Sequence, residues 1–144
     1  MVEIAVSYAA TGARVPKRMI QRIVALVFRK ERSAGGKISC VFVDDKTIRK
    51  INSKYLGHSS ATDVIAFPIE PPPSLEAEIY VNVEQARRQA RLFRVPFTNE
   101  VTRLIVHGVL HVLGYDDTRT NQRRVMFERQ ERYVRMCVDA GYSL

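Results

Sequence analysis

The sequence predicts an α+β fold: a single domain over residues 1–144, with a small mixed sheet of about four strands packed with about five helices. Three observations predict it. Short alternating or apolar runs bounded by glycine and proline dominate the first half. Longer stretches with apolar residues at helical spacing dominate the second half. No repeat, low-complexity segment or linker interrupts the chain, and 144 residues suit one core that buries about two thirds of the unfolded surface.

The elements follow in order. "VEIAVSY" alternates and reads as a strand. Pro16 suits the first turn of a helix, and "KRMIQRIVALVFRKE" continues it with apolar residues at helical spacing. Gly35 and Gly36 break the chain ahead of the strand "KISCVFVDD", where Asp44 or Asp45 can cap a helix through "KTIRKINSKYL". "DVIAFP" reads as a short strand stopped by Pro68, and "EPPPS" as a loop. "AEIYVNV" is the last strand and runs into the helix "EQARRQARLFR". After Pro96, Thr98 or Asn99 can cap the helix "TNEVTRLIVHGVLHVLG", with Glu100 favourable in its first turn. The closing helix spans roughly "NQRRVMFERQERYVRMCVDA".

Composition narrows the function. No apolar run approaches the roughly 20 residues of a membrane span, and the N-terminus lacks a basic start before an apolar core, so neither a membrane segment nor an export signal is expected. Cys40 and Cys137 lie far apart in apolar surroundings and read as small buried hydrophobes of a reducing cytoplasm. The formal charge of +8, from 23 Lys and Arg against 15 Asp and Glu, suits a polyanionic partner. Arginines cluster at Arg87, Arg88, Arg91 and Arg94 and again along the last helix, interleaved with apolar residues; such runs also form solvated helix faces laced with Glu–Arg pairs.

The chemistry concentrates in "HGVLHVLGYDD", residues 107–117. His107 and His111 stand one helical turn apart on one face of an otherwise apolar helix, so both imidazoles point into one small volume. Buried without partners they would cost a few kcal/mol. Gly114 can take the left-handed conformation that ends a helix, and the returning chain brings Asp117 toward the rings, with Asp116 as the alternative. Two imidazoles and a carboxylate form a common three-ligand set for a catalytic divalent metal. One group of zinc peptidases shares this frame, but those enzymes carry a glutamate directly after the first histidine as general base. Gly108 stands there, so peptide hydrolysis by that route is not expected.

With these residues in place, the chain resembles a known family. "HGVLHVLGYDD" is similar to the H-G-x-L-H-L-x-G-Y-D-H motif of the YbeY family, bacterial metal-dependent endoribonucleases of ribosomal RNA maturation. "INSKYLGHSSATDVIAFP" resembles that family's L-N-x-x-Y-R-G-x-x-x-x-T-D-V-L-S-F-P segment, and "AEIYVNVEQA" its G-D-I-x-I segment. The three blocks agree in order and spacing over roughly residues 50–117. The resemblance implies a cytoplasmic zinc-binding nuclease of single-stranded RNA that matures the 3′ end of 16S rRNA and takes part in 70S ribosome quality control. Its implied partners are ribosomal RNA, the ribosome, and ribosomal proteins or a ribosome-associated GTPase. His107 and His111 match the first two metal ligands; Asn52, Thr62 and Asp63 match the second block.

Three positions depart from the family. Asp117 stands in place of a third histidine, a harder donor that admits Mn, Fe or Ni beside zinc. Leu56 replaces the arginine of Y-R-G, removing a cation suited to phosphate; His58, two residues on, reads as a solvated loop histidine, with substitution for that cation as the alternative. Ala77 and Glu78 replace Gly-Asp. The expected mechanism has a metal-activated water attack a phosphodiester, Glu78 or Asp63 accept the proton, and Arg87, Arg91 and Arg103 hold flanking phosphates. Two other classes stand beside it: a ribosome- or RNA-binding module with a structural metal, and a metal-dependent hydrolase of another substrate.

Overall fold

The computed structural model describes residues 1–10, 12, 15–57 and 61–142. The elements run β1 (Val2–Tyr8), α1 (Lys17–Lys30), β2 (Gly36–Val43), α2 (Asp45–Leu56), β3 (Val64–Glu70), β4 (Glu76–Asn82), α3 (Val83–Phe93), α4 (Phe97–Val112) and α5 (Thr120–Asp139). The strands form one mixed sheet in the order β1-β2-β4-β3; β1, β2 and β4 run parallel and β3 pairs antiparallel with β4. The expected α+β class, four strands and five helices are all present among the described residues.

Parallel strands need both faces covered, and two clusters of unequal size do that here. On one face Ile38, Cys40, Ala77, Ile79 and Val81 meet the apolar sides of α1 and α4, with Met126, Tyr133 and Cys137 of α5 closing the core from outside. On the other face Ile48 of α2 packs with Val43 and Ile65, and Phe67 and Tyr80 lie against them. Both cysteines are free and buried, and burial pushes the Cys40 thiol up to about 12 and the Cys137 thiol to about 11.

Several boundaries differ from the sequence expectation by a residue or two, and two of them have a clear physical reason. Pro68 does not stop β3, which continues to Glu70. β3 is an edge strand, where a missing N–H costs no ladder hydrogen bond, and its register shifts just there, between Pro68 and Glu70. α4 begins at Phe97 with Pro96 in the capping position and no side-chain cap, so Thr98 and Asn99 lie inside the first turn. The cap expected of Asp44 is present: its carboxylate accepts from the Thr47 N–H at 2.8 Å.

One buried residue fixes α2 against the sheet. Asn82, at the end of β4, accepts from the N–H groups of Glu84 and Gln85 as the cap of α3. Its amide donates to Asp45 Oδ1 at 2.7 Å and to the Thr62 carbonyl at 3.1 Å. The start of α2, the approach to β3 and the start of α3 are thereby held at one point. Among the described residues, no helix is long and apolar enough to cross a membrane.

Candidate metal centre

α4 lies against β4 because Gly108 permits it. A Cβ at that position would stand 2.9 Å from Ile79 Cγ2, inside van der Waals contact. With Gly108 turned to the sheet, His107 and His111 face a cleft beside the edge strand β3. The cleft, of about 540 Å³, is lined by Asn52 and Leu56 of α2, Thr62, Val64, Ile65 and Ala66, and His107, Gly108 and His111 of α4.

α4 ends at Val112, and Gly114 takes φ +103°, a conformation that favours glycine and reverses the chain. The turn is anchored by the Gly114 N–H to the His111 carbonyl and the Tyr115 N–H to the Leu110 carbonyl, both at 3.0 Å. Tyr115 then reaches Glu31 Oε1 with its hydroxyl at 2.7 Å, while Tyr133 and Arg129 hold the other oxygen of the same carboxylate. Burial opposes ionisation of Glu31, but the hydrogen bonds from Tyr133 and Tyr115 and the Arg129 charge outweigh it and lower its pKa. The return path is thus fixed from α1 and α5 as well as from α4.

That path delivers Asp117. Its Oδ2 stands 3.4 Å from His111 Nε2 and 3.7 Å from His107 Nε2, and the two Nε2 atoms are 3.1 Å apart. Asp116, the alternative, is engaged locally and stands outside that cluster; its Oδ1 accepts from the Thr118 N–H at 3.0 Å. That hydrogen bond holds its carboxyl below the usual range.

The proton positions on both rings follow from their other partners. His111 Nδ1 lies 3.1 Å from the Tyr115 carbonyl, which can only accept, so Nδ1 carries the proton. His107 Nδ1 lies 2.7 Å from Gln130 Oε1. The Gln130 amide nitrogen donates to Glu131 Oε2 at 3.0 Å, which sets the amide so that its oxygen faces the ring. With the rings neutral, both Nε2 lone pairs point to the same place, beside a carboxylate oxygen. Three acceptors crowded together repel unless a cation stands among them. Tetrahedral ligands about 2.0–2.1 Å from an ion are roughly 3.3–3.4 Å apart, which the observed 3.1, 3.4 and 3.7 Å bracket. The donor set fits a divalent metal.

Gln130 was not foreseen. It sits on α5 within "FERQERY", a run that reads as a solvated face, yet it is buried and begins a polar chain behind the site. Glu131 is clasped by Arg103 through two bonds of 2.9 Å, Arg103 also donates to Glu100 at 2.7 Å, and Glu100 accepts from Gln89 at 2.7 Å. Such orienting partners hold a metal-ligating imidazole in place. Replacing Gln130 by Leu is expected to weaken zinc affinity about 10- to 100-fold, read by competition with a chromophoric chelator. Gln130→Glu, which keeps an acceptor for His107, is expected to lose less.

The other residues nominated from sequence are dispersed. Arg103 is committed to Glu131 and Glu100. Arg87 donates to the Gly12 carbonyl and lies over the Phe97 ring at 4.5 Å. Arg91 is exposed on α3, and none of the three lines the cleft. Glu78 alternates with Ala77 and Ile79 and so projects from the sheet face opposite α4, where it accepts from the Tyr80 hydroxyl at 3.2 Å. Its carboxylate stands across the sheet from the imidazoles. Asp63 Oδ1 accepts from the Val64 N–H at 2.8 Å, at the start of β3. His58 lies outside the described residues. Asn52, Thr62 and Leu56 do line the cleft.

A family model described as Endoribonuclease YbeY matches residues 7–137. A protein named Endoribonuclease YbeY from Chloroherpeton thalassium is 33% identical over 120 residues, 83% of this chain and 85% of that protein. One of the same name from Chlorobium phaeovibrioides is 33% identical over 133 residues, 92% of this chain and 89% of that protein. The solution structure of a Thermotoga maritima protein superposes with a TM-score of 0.69 at 24% identity, covering 97% of this chain and 92% of that one, and shows the same fold.

Proposed function

The chain belongs to the YbeY endoribonuclease family, and from that premise we propose that it is a metal-dependent endoribonuclease, a hydrolase of phosphodiester bonds in single-stranded RNA. The observation that carries the reading is the convergence of His107 Nε2, His111 Nε2 and Asp117 on one point at the wall of a cleft. These three residues would hold one divalent ion, zinc first, with Mn, Fe or Ni admitted by the carboxylate. When bound, such an ion polarises a phosphoryl oxygen and lowers the pKa of a coordinated water.

The chain's own residues do the rest. The Tyr115 carbonyl and Gln130 keep the ring protons on Nδ1, leaving both Nε2 lone pairs toward the cleft. Gly108 keeps the cleft floor free of a side chain while α4 packs on Ile79. Asn52 and Thr62 are the other polar residues among those that line the cleft with the imidazoles. The three sequence motifs support 16S rRNA 3′-end maturation and 70S ribosome quality control in the cytoplasm as the setting, with ribosomal RNA as substrate.

A labelled single-stranded RNA tests the reading. Cleavage is expected with zinc, is expected to stop on complete chelation, and is expected to return when the ion is restored. Cleavage that survives metal removal would overturn it. A second reading, an RNA-binding module with a structural metal, is favoured by one observation: Leu56 lines the cleft where the family carries arginine. That reading requires metal and RNA binding without turnover.

A further inference from the structure

Of the three arginines nominated to hold phosphates, Arg87 and Arg103 have internal partners and none lines the cleft, so charge beside the cleft comes from another element. α2 supplies it. Lys46, Arg49, Lys50 and Lys54 are all exposed, and with Ser53 they line a shallow hollow of about 530 Å³. Among the described residues none of these four forms an ion pair, whereas Arg88, Arg103 and Arg129 each do. Their spacing is helical: positions 46, 49, 50, 53 and 54 form one stripe, and Leu56 lies at its edge, one turn after Ser53 on the side toward Asn52. Lys46 and Lys54 are separated by roughly 12 Å along the axis. Leu56 lines the metal cleft together with Asn52 of the same helix. Beside the last lysine stands an aromatic ring in the open. Tyr55 is 62% exposed, with Lys54 Nζ 5.3 Å from its centroid and Phe67 packed edge-on at 5.7 Å.

We propose that the exposed face of α2 is the track on which single-stranded RNA lies as it enters the metal cleft, Lys46, Arg49, Lys50 and Lys54 holding successive phosphates and Tyr55 stacking a base. A row of cations outside ion pairs, with an exposed aromatic ring beside its last lysine, suits a flexible strand whose bases are free to stack. The cations read no sequence; they set register relative to the three metal-ligating residues. The proposal rests on the endoribonuclease reading for its direction of approach, but the surface makes its own prediction about binding.

The test uses the intact protein and a fluorescent single-stranded RNA with 2′-O-methyl riboses, with chelator present so that only binding is read. Affinity is measured against salt. The variant with Lys46, Arg49, Lys50 and Lys54 all changed to Gln is expected to lower the slope of log K against log salt by roughly 3, about 0.7 for each phosphate released. Tyr55→Leu is expected to lower affinity about 5- to 150-fold while leaving that slope unchanged. Arg87→Gln with Arg91→Gln, on α3, is expected to change neither. Circular dichroism and zinc content establish that each variant is folded. An unchanged slope in the α2 variant, an equal loss from the α3 variant, or equal loss of binding to an acidic peptide and to RNA would overturn the proposal. If α2 governs binding but the wild-type protein with zinc leaves unmodified RNA intact, the nuclease reading fails and the track stands.

Discussion

His111→Ala is expected to abolish both the zinc-dependent stabilisation of the fold and the cleavage of RNA. Small protein sites hold zinc with roughly 10–16 kcal/mol, so removing one of three or four ligands costs about a hundred- to a thousandfold in affinity. For the wild-type protein, zinc at a hundred times its Kd stabilises the native state by about 2.7 kcal/mol, which for a chain of this size raises Tm by roughly 5–10 °C. That shift is expected to vanish in His111→Ala and in His107→Ala at the same zinc concentration. His107→Ala also leaves the buried Gln130 oxygen without its partner, which costs about 1–3 kcal/mol, so each zinc shift is read against the metal-free Tm of the same variant. Asp117→Ala is expected to be milder, because Asp117 sits on the connection between α4 and α5 and its side chain is 39% exposed. Asp117→His is expected to favour zinc over manganese, the imidazole being the softer donor. Scanning calorimetry with zinc and manganese reads all of these without reference to activity. An equal zinc shift in wild type and His111→Ala would place the metal elsewhere.

The contrast between those ligands and their support shows what a linear chain can and cannot disclose. His107, His111, Gly114 and Asp117 lie within eleven residues, and helix periodicity plus one glycine turn suffices to bring them together. Gln130 is 23 residues from the imidazole it orients, and no local spacing announces that contact. The same limit misled the reading of charge. Arg103 meets Glu131 across 28 residues and Arg87 meets Gly12 across 75, so two arginines that look available are already engaged. Pro68 misled for a related reason: proline ends a central strand but not an edge strand, and strand order is decided by pairing far along the chain. Glu78 is the instructive case. Its alternation with Ala77 and Ile79 was visible in the sequence; what was not visible is that α4 covers the Ile79 face. Periodicity gives two faces, and only packing says which one the histidines see.

Leu56→Arg is expected to raise cleavage of single-stranded RNA by about 10²–10³ in kcat/KM, and it distinguishes the two readings of this site. Leu56 closes α2 immediately before Gly57, is 46% exposed, and lines the cleft that holds both imidazoles. Arginine is tolerated there on physical grounds: its helix propensity matches that of leucine, and a cation at a helix C-terminus interacts favourably with the last carbonyls. Stability should therefore be nearly unchanged. The new guanidinium would stand at the edge of the α2 cation stripe, where a planar fork can grip two phosphate oxygens at once. A donor aimed at charge that builds up during reaction is worth about 10²–10³ in rate, whereas one that merely binds the ground state lowers KM and leaves kcat alone. Separate measurement of kcat and KM tells these apart. A rise in kcat from a measurable wild-type value means that this chain is a nuclease working without a phosphate clamp. A wild-type protein that binds RNA and zinc but cleaves only after Leu56→Arg means that the metal centre persists while turnover was lost with one side chain. No gain in either constant would show that residue 56 faces solvent rather than the reacting phosphate, and the cleft wall would then have to be read from Asn52 and Thr62 instead.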